Sequence, residues 1–232
     1  MQTPKLLIFL AVWKRPEITE ICFMGIDRLR KTGLFPIEAF AVISEESMIP
    51  LCEKYDIDYC FYKNEPVGEK KNYGLSQAYK KEWDYLVEIG SDDLLKNEFL
   101  EELKEVLPRD VVSISNLAFL NSEDGECRMY KSKTVFGCGR VLSRRVIDKI
   151  GTKLWADRLN RGLDNYSTFF IARYGFLGKR INTEYPLAID IKSETNIWEF
   201  NHLLGVKYDS EKVLEGLSEQ EIEAIKSLYV TV

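Results

Sequence analysis

Short apolar runs alternate with amphipathic segments through the first half of the chain. The apolar runs cover residues 5–12, 37–44, 57–62 and 83–89, and the amphipathic segments cover residues 16–32, 45–55, 70–81 and 97–107. Apolar runs of this length favour buried strands, and apolar residues at helical spacing favour helices. Strands separated by helices usually pair in parallel, because the helix returns the chain to the same end of the sheet. We therefore predict an α/β, Rossmann-like fold with a mostly parallel sheet flanked by helices.

The second half of the chain has a different pattern, which predicts a small antiparallel portion. The sequence predicts strands over residues 111–119 and 128–135 around a turn at 121–125, helices over 143–150 and 165–174, and a β-like segment over 181–191. Ser218 and Glu221 form a capping-box pattern before a predicted helix over 222–229. The C-terminal segment is therefore expected to be helical.

The charge and the cysteine content limit the partners and the compartment. The 232 residues include 32 basic and 37 acidic side chains, which argues against general nucleic-acid binding because phosphate needs a basic surface. Five cysteines, an odd number with no Cys-x-x-Cys pair, favour a reducing compartment, so we expect a cytoplasmic protein. The apolar run at residues 6–13 is too short to span a membrane, and no transmembrane segment is predicted.

Two adjacent carboxylates follow the fourth predicted strand. The strand ends in Gly90 and Ser91, and Asp92 and Asp93 come directly after them. Open α/β sheets bind ligands at the carboxyl ends of their strands, and adjacent carboxylates repel each other unless a cation neutralises them. Mg²⁺ or Mn²⁺ would do so and would also hold a diphosphate. A solvated turn is the alternative, because Asp is common in turns.

Four local patterns occur in a particular order along the chain. They are the strand-to-helix loop Val12-Trp13-Lys14-Arg15-Pro16, the helix start Glu69-Lys70-Lys71-Asn72-Tyr73-Gly74, the acid motif Gly90-Ser91-Asp92-Asp93, and the paired segments Gly137-Cys138-Gly139-Arg140 and Gly162-Leu163-Asp164-Asn165. This order resembles the GT-A glycosyltransferases, especially the family 2-like branch, over roughly residues 5–180. The resemblance implies a GT-A-like catalytic domain over residues 1–200, with a nucleotide-binding half at 1–107 and an acceptor half at 108–200. Residues 201–232 would form a C-terminal helical extension.

The resemblance implies a metal site at the acid motif. The family's Asp-x-Asp motif coordinates the ion that bridges the two phosphates of the donor, and Ser91, Asp92 and Asp93 are the matching residues. Serine replaces the usual first acid, so Asp93 is the expected metal ligand and Asp92 is expected near the ribose or the metal. Part of the family adds a C-terminal histidine ligand, for which His202, the only histidine, is the candidate. A lone histidine is otherwise an ordinary surface or core residue.

The resemblance also implies donor-binding residues in the first two patterns. Trp13 and Arg15 lie in the loop that contacts the nucleobase in the family, and Lys71 and Asn72, together with Lys70, occupy the place of its basic-Asn pair. Cations and an amide group suit phosphate and uracil-type groups. The alternatives are a core position for the tryptophan and a solvated helix face for the two lysines.

The last patterns imply residues at the donor sugar and at the acceptor. Gly139, with Gly137, matches the glycine-rich stretch that lets the backbone approach the sugar, although a tight turn would also use glycine. Asp164 matches the carboxylate that takes the acceptor's proton in inverting members, a role that needs a base within hydrogen-bond reach. Asp164 also fits a helix N-cap. Asp157 is the second candidate for the base.

The expected function is a metal-dependent glycosyltransferase that uses Mn²⁺ or Mg²⁺. It would transfer a sugar of the hexosyl type from a nucleotide-diphosphate donor to a hydroxyl of a glycan or small-molecule acceptor, with inversion. A nucleotidyltransferase on a related fold is one alternative, although the loop at 13–16 lacks the glycine-rich signature of that class. A non-catalytic sugar- or partner-binding domain is the other, because a fold does not determine a function.

Overall fold

The alternating first half of the chain folds into strands separated by helices. The computed structural model describes residues 3–132, 134–193, 200 and 205–229. The elements of the first half are β1 (Leu6–Val12), α1 (Pro16–Lys31), β2 (Ile37–Ile43), a 3-10 helix (Glu46–Met48), α2 (Ile49–Lys54), β3 (Asp58–Phe61), α3 (Val67–Ala78), β4 (Tyr85–Gly90), β5 (Asp93–Leu95) and α4 (Asn97–Val106).

The second half adds further strands and helices. They are β6 (Val111–Ile114), β7 (Asn116–Asn121), β8 (Cys127–Lys131), β9 (Arg140–Ser143), α5 (Arg144–Ile150), α6 (Leu163–Arg173), β10 (Lys179–Ile181), β11 (Ala188–Lys192), β12 (Val206–Tyr208), α7 (Ser210–Leu214) and α8 (Glu219–Ser227). Within the described residues the strands form two sheets, with the orders β10-β6-β9-β4-β1-β2-β3 and β12-β8-β7-β11-β5.

The larger sheet is mostly parallel. β1 pairs in parallel with β2 and β4, and β2 does so with β3, whereas β9 runs antiparallel between β4 and β6. In the smaller sheet β7 pairs antiparallel with β8 and in parallel with β11. These pairings confirm the predicted α/β class, with a mostly parallel sheet flanked by helices and a small antiparallel portion.

β1 lies inside the larger sheet and is buried on both faces. Leu6, Ile8 and Leu10 belong to one core cluster, and Leu7 and Phe9 belong to the cluster on the other face. A continuous apolar run is expected for a parallel strand that is covered on both sides. Each fully buried side chain of this kind contributes about 1.5–3 kcal/mol of hydrophobic stabilisation. The two clusters therefore fix the carboxyl end of β1, where a loop enters the cleft described below.

Two of the predicted strands divide between the sheets. The run at 111–119 breaks at Ser115, so that β6 lies in the larger sheet and β7 in the smaller one. The segment predicted over 181–191 likewise divides into β10 and β11. Apolar periodicity predicts extended chain, but it does not show where the chain leaves a sheet when both parts are buried.

Several short elements do not follow from the sequence patterns. The strands β5, β9 and β12 and the helix α7 have only three to five residues each, too few for a periodicity to be recognised. α3 begins at Val67 instead of residue 70 and ends at Ala78 instead of residue 81. Pro66 precedes it in an extended conformation and sets its start.

The described C-terminal residues pack against α1. Ser218 and Glu221 form the predicted capping box at the start of α8. Glu221 is fully buried and accepts hydrogen bonds from Arg28 Nε at 2.9 and 3.0 Å. β12 pairs with β8 and so adds an edge strand to the smaller sheet. None of the helices in the described ranges combines the length and the apolar character that crossing a membrane requires.

Candidate active site

An open cleft of about 880 Å³ lies at the carboxyl ends of β1 and β4. Its walls come from the loop after β1, the start of α3, the turn between β4 and β5, parts of the segment 130–138, the start of α6, and β11. Open α/β sheets bind their ligands at this edge. The cleft is therefore the candidate active site.

Three carboxylates converge in this cleft. Asp92 lies in the turn between β4 and β5, and Asp93 begins β5. Asp190 lies opposite Asp93 in the antiparallel pair of β5 and β11. One oxygen atom from each of the three carboxylates lies within 4.8 Å of the others. Like charges on directly opposite residues destabilise a sheet, so this acid cluster costs stability unless a proton or a cation compensates it.

Burial strengthens the repulsion within the acid cluster. Burial raises the pKa of Asp93 well above its ordinary value, and the charges of Asp190 and Asp92 raise it further. Burial also raises the pKa of Asp190 to about 6, against the opposing attraction of Lys192. The Oδ1 atom of Asp190 is buried and has no hydrogen-bond partner in the described part of the chain. A buried oxygen beside two further carboxylates is the kind of donor set that a hard divalent cation prefers.

Two cationic side chains contact the acid cluster. Lys192 Nζ lies 2.7 Å from Asp190 Oδ2, and the two residues share a face of β11 because they are two positions apart. Burial lowers the pKa of Lys192, but the attraction of Asp190 and Asp92 outweighs it, so the pKa is raised overall. Arg15 Nη1 lies 3.0 Å from Asp92 Oδ2. Lys192 and Arg15 thus offset part of the negative charge that the three described acids would carry if all of them were ionised.

The loop after β1 carries Arg15 to the acid cluster through an unusual backbone. Lys14 and Arg15 both have positive φ values, 55° and 53°. This left-handed conformation costs about 1–2 kcal/mol for a residue other than glycine. The N–H of Lys14 donates to Glu45 Oε2 at 2.8 Å, which helps to hold the loop in place. Strained backbone of this kind is concentrated at functional sites.

Trp13 precedes this loop and lines the cleft. Its side chain is exposed, so it is not the core residue that the alternative interpretation describes. Lys14 Nζ lies 4.3 Å from the centre of the Trp13 ring. An exposed indole face at this edge of the sheet suits stacking with a planar group.

At the start of α3, Lys70 is the residue that lines the described part of the cleft, rather than Lys71 or Asn72. Lys70 is buried and donates to Val12 O at 2.6 Å and to Asn64 Oδ1 at 3.2 Å. Burial lowers the pKa of Lys70 to about 8. The alternative interpretation, in which this lysine lies on a solvated helix face, is therefore wrong.

Lys71 and Asn72 make structural contacts away from the cleft. Lys71 forms a largely buried ion pair with Glu88, which also pairs with Arg140 Nη2 at 2.5 Å. Burial raises the pKa of Glu88, but the attraction of Arg140 and Lys71 outweighs it, so the pKa is lowered overall. The amide of Asn72 donates to Trp155 O at 2.6 Å and accepts from Trp155 N at 3.1 Å. The two side chains hold α3 to β4, β9 and the loop at Trp155.

Asp164 lines the cleft from the first turn of α6. The N-cap of this helix is Gly162, so the N-cap interpretation of Asp164 is wrong. A Cβ atom on Gly137 would lie 2.5 Å from Asp164 Oδ1, so a larger residue at this position would displace the carboxylate of Asp164. Burial raises the pKa of the Cys138 thiol well above its ordinary value, and so do the charge of Asp93 and the thiol's hydrogen bond to it. Residues 137 and 138 thus join Asp164 to the acid cluster.

The remaining predicted site residues make other contacts or lie outside the described chain. Gly139 has a φ of 69° and donates its N–H to Glu88 O at 2.8 Å, which fits a tight turn before β9. Asp157 accepts a hydrogen bond from Asn72 Nδ2 at 2.8 Å, and this bond lowers the pKa of Asp157. His202 lies outside the described residues.

Sequence reasoning does not identify Asp190 or Lys192 as site residues. Both occur in the strand-like run Ala188-Ile189-Asp190-Ile191-Lys192, whose alternation places the two charges on one face. Opposite charges two positions apart in a buried strand are a usable signal, because charged residues are rarely buried without a partner. Their contact with the acid motif, however, depends on the pairing of β5 with β11, which no local pattern predicts.

The two sheets and the cleft at the strand ends define the class of fold. The fold is the GT-A-like fold of glycosyltransferases, as the resemblance predicts. The mannosyltransferase PcManGT from Pyrobaculum calidifontis, solved in complex with GDP-Man and Mn²⁺, superposes with a TM-score of 0.56 at 13% identity, over 82% of this chain and 57% of that one. Residues 1–349 of S. aureus TarS superpose with a TM-score of 0.56 at 13% identity, over 81% of this chain and 60% of that one.

A second TarS structure, in complex with UDP, superposes with a TM-score of 0.52 at 15% identity, over 82% of this chain and 61% of that one. At these identities the similarity establishes the fold. The chain spans about three fifths of the length of each of these three structures. No family model matches the sequence, and neither does any curated protein.

Proposed function

We propose that this chain is a metal-dependent glycosyltransferase of the hexosyltransferase type, which moves a sugar from a nucleotide-diphosphate donor to a hydroxyl acceptor with inversion. The observation that carries the proposal is the convergence of Asp92, Asp93 and Asp190 in the cleft, with carboxylate oxygens within 4.8 Å of one another. The neighbours of the same fold that were solved with GDP-Man and Mn²⁺, or with UDP, support this class of donor.

The residues present fit a divalent cation. Asp190 Oδ1 is buried without a hydrogen-bond partner among the described residues, and Asp93 lies opposite it in the strand pair. We assign Asp93 and Asp190 as the ligands, with Asp92 beside them. Asp190 then supplies the second carboxylate that Ser91 does not provide. Mn²⁺ or Mg²⁺ held there would offset the charge of the leaving diphosphate.

Cationic and aromatic side chains in the cleft suit the rest of the donor. Lys70 lines the cleft, and its ammonium group has a third N–H beyond its two bonds to protein oxygens. A pKa of about 8 keeps Lys70 largely protonated at neutral pH. We propose that Lys70, and not Lys71, takes the phosphate-binding role that the resemblance implies for these two lysines, and that Trp13 and Arg15 contact the nucleobase and the phosphates.

Asp164 is the proposed general base. It lines the cleft, and its backbone carbonyl, rather than its carboxylate, accepts the hydrogen bonds of Arg140 and Ser167. A carboxylate in this position would take the proton from the acceptor hydroxyl as that hydroxyl attacks the anomeric carbon. Attack on the face opposite the leaving diphosphate inverts this carbon.

The acceptor is defined only by its hydroxyl group. Phe119, Tyr130 and Phe136 line part of the cleft as one aromatic group, in which the ring centres of successive members lie 6.0 and 5.9 Å apart. Such rings suit contact with the apolar face of a glycan or with a small molecule. The cytoplasmic location stays a prediction from the sequence.

A thermal-shift screen of UDP-, GDP-, CMP- and dTDP-sugars, each with Mn²⁺ and with EDTA, tests the proposal. The true donor should raise the melting temperature, because a ligand at a hundred times its Kd stabilises the folded state by about 2.7 kcal/mol. The rise should occur only with Mn²⁺, because the proposed site holds the diphosphate through the metal. That donor is then assayed for nucleotide release in the presence of hydroxyl acceptors. Binding without nucleotide release would favour a binding domain. Pyrophosphate release from a nucleoside triphosphate would favour a nucleotidyltransferase.

A further inference from the structure

An exposed aromatic and apolar surface lies on α6 and on the loop that follows it. The side chains of Tyr166, Phe169 and Tyr174 are 41%, 72% and 47% exposed, and Leu177 in the loop is 84% exposed. Single exposed apolar residues are common on protein surfaces, but several large ones in one short stretch indicate an interaction site. We call these residues, together with Phe170, the α6 face.

The geometry of the helix places three of the four aromatic members of the α6 face side by side. Tyr166, Phe170 and Tyr174 follow one another at intervals of four residues, which brings them onto one side of the helix. The ring centres of Tyr166 and Phe170 lie 6.0 Å apart, and those of Phe170 and Tyr174 lie 5.3 Å apart. The buried residues of the helix are Leu163, Ser167 and Ile171. At 3.6 residues per turn, the stripe of Tyr166, Phe170 and Tyr174 lies beside this buried stripe, about 60° from it around the helix, while Phe169 points away from it.

The segment that carries the α6 face is basic although the chain as a whole is acidic. Residues 165–183 include Arg173, Lys179 and Arg180 and contain no Asp or Glu between the flanking Asp164 and Glu184, whereas the whole chain has a net charge of −5. Arg173 and Lys179 are exposed. Aromatic rings and apolar side chains flanked by Arg and Lys are typical of surfaces that lie in the interface of an anionic membrane.

We propose that the α6 face binds the surface of an anionic lipid bilayer. The aromatic rings and Leu177 would enter the interfacial region, while Arg173 and Lys179 contact lipid phosphates. Charge complementarity favours this occupant over a second copy of the chain, because a symmetric contact would bring like-charged faces together. Asp164 belongs to the first turn of the same helix, so a bound membrane would lie close to the helix that carries the candidate base. This last consequence, unlike the binding itself, rests on the proposed function.

Co-sedimentation of the whole chain with lipid vesicles tests the proposal. The protein should bind vesicles that contain phosphatidylglycerol and phosphatidylcholine, and it should not bind vesicles of phosphatidylcholine alone. Phe169→Ser combined with Leu177→Ser should weaken binding by about tenfold or more, because each removes a large apolar side chain from the interface. The matched control is Phe61→Ser combined with Val206→Ser, at positions that are 41% and 74% exposed elsewhere on the molecule. This control should bind like the wild type.

A second pair of variants tests the contribution of charge. Arg173→Gln combined with Lys179→Gln should weaken binding by about fivefold for each charge removed. Lys104→Gln combined with Lys212→Gln removes the same charge from exposed positions on α4 and α7 and should have little effect. Melting curves of every variant establish that a loss of binding is not a loss of folding, and the single Phe169→Ser variant replaces the double variant if the latter unfolds.

The proposal is overturned by any of three results. The first is that the wild-type chain fails to bind the anionic vesicles. The second is that the control variants lose as much binding as the α6 variants. The third is that Phe169→Ser with Leu177→Ser converts a dimer to a monomer in light scattering, which would assign the face to a second copy. The vesicle experiment needs no nucleotide sugar. Its failure would therefore leave the glycosyltransferase proposal standing, and failure of that proposal would leave the membrane contact standing.

Discussion

At the scale of single residues, Asp164 carries the chemistry that we propose. Asp164→Asn keeps the size of the side chain in the first turn of α6 and removes its ability to accept a proton. The variant should keep its affinity for donor and metal while its turnover falls by about 10²–10⁴-fold, the usual contribution of a general base. Nucleotide release at saturating donor and acceptor measures this effect.

Asp157→Asn is the matched control for that experiment. It makes the same chemical change at a carboxylate that is bonded to Asn72 and does not line the described part of the cleft. Its turnover should equal that of the wild type. If instead Asp157→Asn were inactive and Asp164→Asn fully active, the base would be Asp157.

Asp93 is a residue whose proposed function opposes stability. In the unfolded chain, Asp93 loses its proton above about pH 4. In the metal-free native state it keeps the proton to a higher pH, because its pKa is raised. The stability of the metal-free protein should therefore fall as the pH rises through the raised pKa of Asp93. Asp93→Asn removes this dependence and keeps an oxygen for the N–H of Gly90, which lies 2.5 Å from Asp93 Oδ2.

In EDTA at pH 7, Asp93→Asn should melt about 2 to 4 °C above the wild type, which corresponds to roughly 1 kcal/mol for a chain of this size. The difference should shrink as the pH falls, and Mn²⁺ should no longer raise the melting temperature of the variant. Melting curves over a pH series measure both effects. A variant that melts below the wild type at pH 7 would show that the carboxylate is not under repulsion.

At the scale of secondary-structure elements, Glu88 joins α3, β4 and β9. Its carboxylate pairs with Lys71 and with Arg140 in the interior of the protein. Glu88→Gln leaves both cations without their counter-charge and should lower the free energy of unfolding by about 3–5 kcal/mol. The control is Glu38→Gln in β2, whose partner is Lys5 in a partly exposed pair, and this change should cost about 1 kcal/mol or less. Denaturant unfolding compares the two, and equal losses would refute the structural role of Glu88.

At the scale of elements, local sequence patterns predict one part of the candidate site and do not predict another. The apolar run of β1 and the proline that opens α1 are local signals, and they place Trp13 and Arg15 at the ligand edge of the sheet. The end of β4 places Asp92 and Asp93 at that edge for the same reason. Asp190 reaches the cluster only because β11 pairs with β5, almost a hundred residues earlier in the chain. Contacts of that kind are set by the packing of distant segments, and local periodicity does not encode them.

The start of α3 shows the same limit within one helix. Lys70, Lys71 and Asn72 are adjacent polar residues, and the sequence gives no reason to prefer one of them for the cleft. Each points in a different direction because successive residues of a helix are separated by about 100° of rotation. Only Lys70 among the three faces the described cleft, and the other two are used to hold the sheet and the loop at Trp155.

At the scale of the whole molecule, the C-terminal helix supports the strand that carries the acid motif. Leu94 of β5 and Ile225 of α8 belong to one core cluster. Arg28 of α1 pairs with the buried Glu221 and also donates to Leu95 O at 2.7 Å. Residues distant in sequence thus hold β5 in its position beside the cleft.

Arg28→Met should therefore destabilise the whole chain. It leaves Glu221 buried without its cation, and the free energy of unfolding should fall by about 3–5 kcal/mol. Lys31→Met, in the exposed pair with Asp27 on the same helix, should cost about 0.5 kcal/mol or less. Denaturant unfolding measures both, and an Arg28→Met variant as stable as Lys31→Met would contradict the role of this contact.

The central claim is that the acid cluster holds a metal together with the diphosphate of the donor. It is tested most directly by calorimetric titration of the nucleotide sugar into the wild type and into Asp190→Asn, each in Mn²⁺ and in EDTA, with the folding of the variant checked by its melting curve. Loss of an outer contact of a metal site already costs about 10–100-fold in affinity, so loss of a proposed ligand should cost at least as much. The account predicts saturable binding to the wild type in Mn²⁺ that is lost in EDTA and in the variant. Equal affinity in Mn²⁺ and EDTA, or a variant that binds like the wild type, would contradict it.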